Sequence, residues 1–296
     1  MGYTAMFSII IPCISKRHAL KTVESCRKVL NNPKEEPQFI VVIDGGNKVG
    51  TEESNGVLFR YLKGINGSYA ARNEGVRFAK YNQLLFLDSD VEVLELPDIE
   101  VAKAENTLIG PLVCFDRDPE DGAERWYYQN AFKQAEFIRK YQFLPTISLF
   151  VSRKLFDSLN GFDERFVSGG DVDFGHRATA AGFGLTLDER FKVRTKLRNA
   201  QQIVKKIERQ SYGQVFEMLN SEQPWRWIVL LRIGKNSLLW IQSLLFGMKR
   251  SGDFSVSHIY ACRCRALTAS LFLTKDRITG RATLANSREV AYERQT

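Results

Sequence analysis

Gln83-Leu84-Leu85-Phe86-Leu87-Asp88-Ser89-Asp90 is a short apolar run that stops abruptly at two carboxylates. Five residues, apolar almost throughout, suit a strand buried on both faces of a parallel sheet. Two further runs have the same form. Phe7–Ile11 (FSIII) ends at Pro12, and Phe39–Ile43 (FIVVI) ends at Asp44-Gly45-Gly46. Helical spacing fills the intervals: Leu20, Val23, Cys26 and Leu30 within His18–Leu30, stopped by Asn31-Asn32-Pro33, and then Ser68–Tyr81. Leu58–Leu62 suits a short third strand. Strands alternating with helices predict a doubly wound α/β sheet, whose ligand crevice lies outside the carboxyl ends of the strands. Asp44, Asp88 and Asp90 all fall at such ends. Each could alone be a turn residue, since Asp and Gly favour turns, but together they converge on one edge.

Further along, Arg153–Leu159 reads as a short helix closed by Asn160-Gly161. Gly169-Gly170 then permits a tight turn before Asp171-Val172-Asp173 opens a helix ending at Gly182. Carboxylates in a first helical turn are also favoured as caps, so capping is the alternative reading of this pair. Between them, residues 111–145 hold Arg125-Trp126-Tyr127-Tyr128 with Phe132, Phe137 and Tyr141 beyond. Aromatic faces pack on sugar rings, and equally well form the core face of an amphipathic helix.

The chain has 296 residues, 44% of them apolar and 26% charged, which supports a real core and excludes a disordered protein. Five scattered cysteines (Cys13, Cys26, Cys114, Cys262, Cys264) show neither a disulfide framework nor zinc spacing, and read as reduced thiols of a cytosolic protein. No charged segment and apolar run of signal-peptide form opens the sequence. The net charge of +8 is confined to the last third: residues 1–199 hold 27 Lys and Arg against 27 Asp and Glu, and residues 200–296 hold 15 against 7. Within that basic region, in Trp225–Arg250, the polar residues Lys235/Asn236, Gln242/Ser243 and Lys249/Arg250 recur every seven residues and nearly everything else is apolar. Arg226, Arg232 and Lys235 interrupt it as a membrane span. A helix lying in the headgroup layer, supported by Trp225, Trp227 and Trp240, or one packed on the rest of the protein, fits better.

Two carboxylates one residue apart at a strand end suit a hard divalent cation that completes its shell with water and phosphate oxygens. Beyond this chemistry, the motifs together resemble the family 2 glycosyltransferases. The family's opening IPTYN-like turn is similar to Ile9-Ile10-Ile11-Pro12-Cys13, and its VVDDGS strand end to Val41-Val42-Ile43-Asp44-Gly45-Gly46. Its N-x-G-x-x-x-A-R-N-x-G helix resembles Asn66-Gly67, Ala71-Arg72-Asn73 and Gly75, with Gly67 one place early. Its FLDSD triplet matches Phe86–Asp90. Its GGFDE and ED-x-D segments resemble Asn160–Glu164 and Gly169–Asp173. The likeness covers about residues 6–185 and implies a GT-A nucleotide-sugar transferase fold, a Rossmann-like mixed sheet flanked by helices. On this basis residues 1–200 form the catalytic domain and residues 201–296 a basic, mainly helical extension.

By resemblance, Asp44 binds the donor nucleoside with Pro12 and Cys13 shaping the pocket, and Arg72 approaches the diphosphate or sugar. Asp90 is the direct ligand of Mn²⁺ or Mg²⁺, with Asp88 and Ser89 at the donor and Asp88 sharing the metal. Asp171 matches the catalytic base of inverting members, with Asp173 as the fallback. Trp126, Tyr127 and Asp173 are candidate acceptor contacts, and His176 and His258 candidate additions to the metal shell. Three departures stand out: Ile43 replaces the first aspartate of the DD pair, Gly170 replaces the glutamate before the base, and Cys13-Ile14-Ser15 replaces the usual turn. The implied activity is metal-dependent, inverting transfer of a sugar from a nucleotide-diphosphate donor, UDP-sugars foremost, to a glycan or lipid-linked glycan. The expected location is the cytoplasm, peripheral on an anionic membrane face through the extension. The alternative is a catalytically silent nucleotide-sugar or nucleic-acid binder. The basic tail lacks a recognisable RNA- or DNA-binding motif, so no nucleic-acid partner is expected.

Overall fold

In a computed structural model, residues 7–30, 36–97, 105–220, 224–246 and 255–272 are described. The elements run, in chain order, β1 (Phe7–Cys13), α1 (Lys16–Val29), β2 (Gln38–Gly46), β3 (Gly50–Ser54), β4 (Val57–Lys63), α2 (Ser68–Arg77), β5 (Gln83–Leu87) and β6 (Val91–Glu95). They continue with β7 (Thr107–Phe115), α3 (Gly122–Asn130), β8 (Ser148–Ser152), α4 (Arg153–Ser158), α5 (Gly170–Ala180) and β9 (Gly184–Thr195). Three long helices follow: α6 (Ala200–Asn220), α7 (Trp225–Phe246) and α8 (Ser255–Leu271).

The nine strands of the described residues form one sheet in the order β3-β4-β2-β1-β5-β8-β7-β9-β6. Strands β4, β2, β1 and β5 are parallel, while β3, β8 and β6 each run antiparallel to a neighbour. The sheet is therefore mixed and flanked by helices, as the resemblance implies. The chain leaves β1 towards β2 on one side and returns to β5 on the other. That reversal sets a crevice at the carboxyl ends of β1, β2 and β5, where Cys13, Asp44 and Asp88 emerge.

Every residue of β1 is buried, as are Leu84–Leu87 of β5. Strand β1 continues through Pro12, where the sequence suggested it would end. The reason is register: β5 pairs only with Phe7–Ile10, so the proline, which has no N–H, falls where the β5 ladder has already finished. Helix α2 lies close on this central pair because Gly75 has no side chain; a Cβ there would run into Ile10 Cγ2. The expected end of α1 at Asn31-Asn32-Pro33, and the Lys249/Arg250 edge, lie outside the described residues.

The chain divides into two compact units. One comprises residues up to Asp116 with Phe132–Arg165 and Gly170–Lys196; the other comprises Arg117–Ala131, Phe166–Gly169 and the chain from Leu197. Within the second, Tyr212, Val215, Met218, Val229, Ala266 and Leu267 from α6, α7 and α8 make a small core of their own. Gly213 of α6 lets the Ser168 backbone approach, since a Cβ would stand 2.5 Å from its carbonyl oxygen.

Candidate active site

Asp44, at the end of β2, is 6% exposed and accepts from three donors. Its Oδ1 accepts from Asn66 N (3.0 Å) and Asn66 Nδ2 (2.9 Å), and its Oδ2 from Asn66 N (2.9 Å) and Gly67 N (2.7 Å). These main-chain donors sit at the start of α2, where the helix dipole also favours an anion. Gly67, with φ 95°, supplies a conformation that side chains resist. Asp44 thus straps the β4–α2 loop to the crevice. Cys13 lies beside it; burial pushes its thiol up to about 12, and the Asp44 charge adds to the effect. The sulfur is a neutral wall rather than a nucleophile at ordinary pH.

The 88–90 turn is held from two sides. Asp88 N donates to Ile147 O (2.9 Å), and the Thr22 hydroxyl of α1 reaches both Ser89 O (3.0 Å) and Val91 O (2.8 Å). Arg72, one of the most buried cations, donates from Nη2 to Asp88 Oδ1 (2.5 Å) and to Thr146 O (3.2 Å). Its Nε and Nη1 are buried and make no hydrogen bond within the protein. The rings of Tyr69 and Phe162, centred 5.6 and 6.0 Å from the guanidinium carbon, offset part of that cost by cation–π attraction. Arg72 is thus engaged with Asp88 through Nη2.

Tyr69 was not legible as a site residue. Its hydroxyl donates to Asp171 Oδ1 and accepts from Asp171 N, both at 3.3 Å. Asp171 is half-buried in the first turn of α5, and Val172 N donates to the same Oδ1 at 3.1 Å. The neighbouring Gly170 explains itself through the same tyrosine: a Cβ there would stand 2.7 to 2.9 Å from Tyr69 ring carbons. The ring fills the space that the family's usual glutamate would enter. The glycine at 170 was the signal in the sequence, because a missing side chain leaves room for another. Asn73, one turn beyond Tyr69, receives Phe162 N on its Oδ1 (3.0 Å) and donates to Phe162 O (2.8 Å) and Glu164 Oε1 (3.0 Å). One face of α2 therefore grips the 88–90 turn, the 162–164 loop and the start of α5.

Asp173 is committed to Arg177 (2.8 Å), which also caps the 159–161 turn through Leu159 O and Gly161 O. His176 Nε2 lies 2.9 Å from Tyr141 O. Trp126 and Tyr127 belong to the second unit. Trp126 Nε1 donates to Tyr260 Oη (3.0 Å), and the buried Tyr127 accepts from Lys206 Nζ (2.7 Å). Among the described residues no group of three or more His, Cys, Asp or Glu side chains could hold a metal ion. Asp88 and the exposed Asp90 are a pair of hard oxygen donors at a strand end. That set fits Mg²⁺ or Mn²⁺, which take few carboxylates and fill the shell with water and phosphate oxygens.

The sequence profile of the family described as "Glycosyl transferase family 2" matches residues 8–156. The chain belongs to glycosyl transferase family 2. This family 2 chain is 29% identical over 196 residues to "Glycosyltransferase AglE" of Haloferax volcanii, covering 60% of the chain and 63% of that protein. It is 28% identical over 136 residues to "O-antigen biosynthesis protein RfbC" of Myxococcus xanthus, covering 38% of the chain and 11% of that protein. The matches thus span less than two thirds of either relative. Among solved structures, the crystal structure of S. aureus TarS superposes with a TM-score of 0.48 at 17% identity, over 83% of this chain and 44% of that one.

Proposed function

We propose that this chain is a metal-dependent, inverting glycosyltransferase that moves a sugar from a nucleoside-diphosphate donor, a UDP-sugar foremost, to a glycan or lipid-linked glycan. One observation carries this: Tyr69 and Arg72, on adjacent turns of α2, bind Asp171 and Asp88 respectively. A base and a metal-side carboxylate are thereby fixed to one rigid element, as a displacement with the nucleophile and leaving group on opposite sides of the sugar needs. The family match to residues 8–156 supports the same reading.

Asp90 and Asp88 would hold Mg²⁺ or Mn²⁺, which when bound neutralises charge on the diphosphate leaving group. Asp44 retains about one of roughly four acceptor positions for a nucleobase N–H, its others being taken by Asn66 and Gly67. Cys13, Pro12 and Ser89 line the donor side. Asp171 takes the proton of the acceptor hydroxyl as that oxygen attacks the anomeric carbon, while the bond to the diphosphate oxygen breaks and its electron pair leaves with the diphosphate. Tyr69 keeps the carboxylate turned towards the acceptor. The basic C-terminal extension holds the enzyme on the cytoplasmic face of an anionic membrane.

The test is nucleoside-diphosphate release from a panel of UDP-, GDP- and dTDP-sugars with Mn²⁺, beside Asp90→Ala. Slow release from one donor, abolished by a chelator and in the variant, is expected. Binding of no donor, or metal-independent binding without turnover, would overturn the catalytic assignment.

A further inference from the structure

Helix α7 is long and apolar enough, among the described residues, to cross a membrane by length and composition. Its two faces have different fates. Val229, fully buried, joins the core shared with α6 and α8, with Ile228 and Ile233 packed around it. On the same side Arg232 Nη1 donates to Gln214 Oε1 of α6 (3.0 Å) and Ser237 meets Cys264 of α8 (3.5 Å). The opposite face is open. Trp227 is 70% exposed and Leu231 75%, and Leu230, Leu238, Ile241 and Leu245 are exposed with them. At about 100° per residue these six share an arc of roughly 100°, and at 1.5 Å per residue they run for about 27 Å. Exposed Lys235 and Gln242 border the stripe on one side and exposed Arg226 on the other. A continuous apolar strip of this length on a water-facing helix calls for an occupant.

We infer that the outer stripe of α7 lies in the plane of an anionic bilayer, immersed to the headgroup–acyl boundary, with the inner face remaining on α6 and α8. This rests on the membrane reading of the C-terminal extension and specifies which element enters the lipid, and how. Charge selects the occupant. Helix α7 carries Arg226, Arg232 and Lys235 and no Asp or Glu. Acidic headgroups complement that set, whereas a second copy docked on the same stripe would set Arg226 and Lys235 near their own counterparts. Packing selects the orientation. A spanning α7 would strip Val229 from its core and carry Arg226, Arg232 and Lys235 into or against hydrocarbon, where each cation is costly. An in-plane helix keeps its inner contacts, and its cations reach the phosphates while the apolar strip enters the acyl boundary.

The test uses the full chain with vesicles of equimolar phosphatidylcholine and phosphatidylglycerol, beside pure phosphatidylcholine. The inference expects binding to the anionic vesicles that an alkaline wash releases. It also expects stronger quenching of tryptophan emission by lipids brominated near the headgroup than by lipids brominated near the chain end, with the quenching diminished in Trp227→Phe. Leu231→Glu with Leu238→Glu, both at water-facing positions, should weaken binding by about tenfold or more while leaving the circular dichroism unchanged. Binding that these variants do not alter, with no quenching assigned to Trp227, would overturn the role of α7 and leave the membrane reading standing. Absence of binding to anionic vesicles would overturn both. Resistance to the alkaline wash would show a span, and a dimer in solution abolished by the double substitution would show a second copy; either result overturns the inference.

Discussion

The Tyr69 hydroxyl stands 3.3 Å from both the main-chain nitrogen and Oδ1 of Asp171, a residue 102 positions later in the chain. The same ring covers Gly170, so one side chain both shapes the turn before the proposed base and orients its carboxylate. Two separable losses follow. Tyr69→Phe keeps the ring and should cost no more than about 1 kcal/mol of stability. It should nevertheless slow turnover by roughly tenfold, with donor binding unchanged, because the base is no longer held in place. Steady-state kinetics beside thermal melting separate the two effects.

Gly170→Ala brings a Cβ against that ring and should cost about 1–3 kcal/mol. In a Tyr69→Ala background the same change should cost at least about 1 kcal/mol less, since the obstructing ring is gone. Denaturant unfolding of the four proteins in this cycle measures the coupling. Additive costs would mean that the two residues are not in contact.

Asp88 and Asp90 should differ in kind. Asp88 is the partner of the buried Arg72, so Asp88→Ala leaves a guanidinium with less compensation. The carboxylate is itself 38% exposed, which moderates the loss to about 1–3 kcal/mol rather than the larger cost of breaking a fully buried pair. Asp90 is exposed, and Asp90→Ala should change stability by less than about 0.5 kcal/mol. Both variants should lose activity. Melting temperatures distinguish a residue that also supports the fold from one required for chemistry alone.

Burial pushes the thiols of Cys13 and Cys26 up to about 12 from an ordinary value of 9.0. The sign is fixed by which state ionises first. Below about 9 both states hold the protons, whereas between about 9 and 12 the unfolded thiols ionise and the folded ones do not. Folding stability attributable to these residues should therefore be intact at neutral pH and fall as pH rises through that window. Unfolding free energies of the wild type and of Cys13→Ala with Cys26→Ala, compared from pH 8 upward to about 10, isolate this part. The wild type should show the steeper decline.

The parallel strands were the most legible part of the molecule. FSIII, FIVVI and QLLFL are buried on both faces and need no partner pattern to be recognised. Strands β6, β7, β8 and β9 were not foreseen, because their pairing joins segments far apart in the chain. Strand β3 lies only two residues from its partner and was missed for another reason: its exposed and half-buried polar residues carry no apolar pattern, and it is a strand only through its ladder with β4. Asp44, Asp88 and Asp171 stood out in the sequence because each is a carboxylate where an element begins or ends. Their partners did not. Tyr69 occupies a variable place in a helix motif, and Arg72 carries no mark in the sequence that it would pair with Asp88. Contacts made across a fold are set by packing, so the residues that orient a site are harder to read than those at its centre.

Asp171→Asn tests the central claim most directly, measured with the donor that the nucleotide-sugar panel identifies. The amide keeps the size of the side chain and can still be held by Tyr69, but it cannot take up a proton. The account predicts Mn²⁺-dependent donor binding close to that of the wild type by calorimetry, with turnover reduced by about 100-fold or more. An Asp171→Asn enzyme that binds the donor and turns over at the wild-type rate would contradict it.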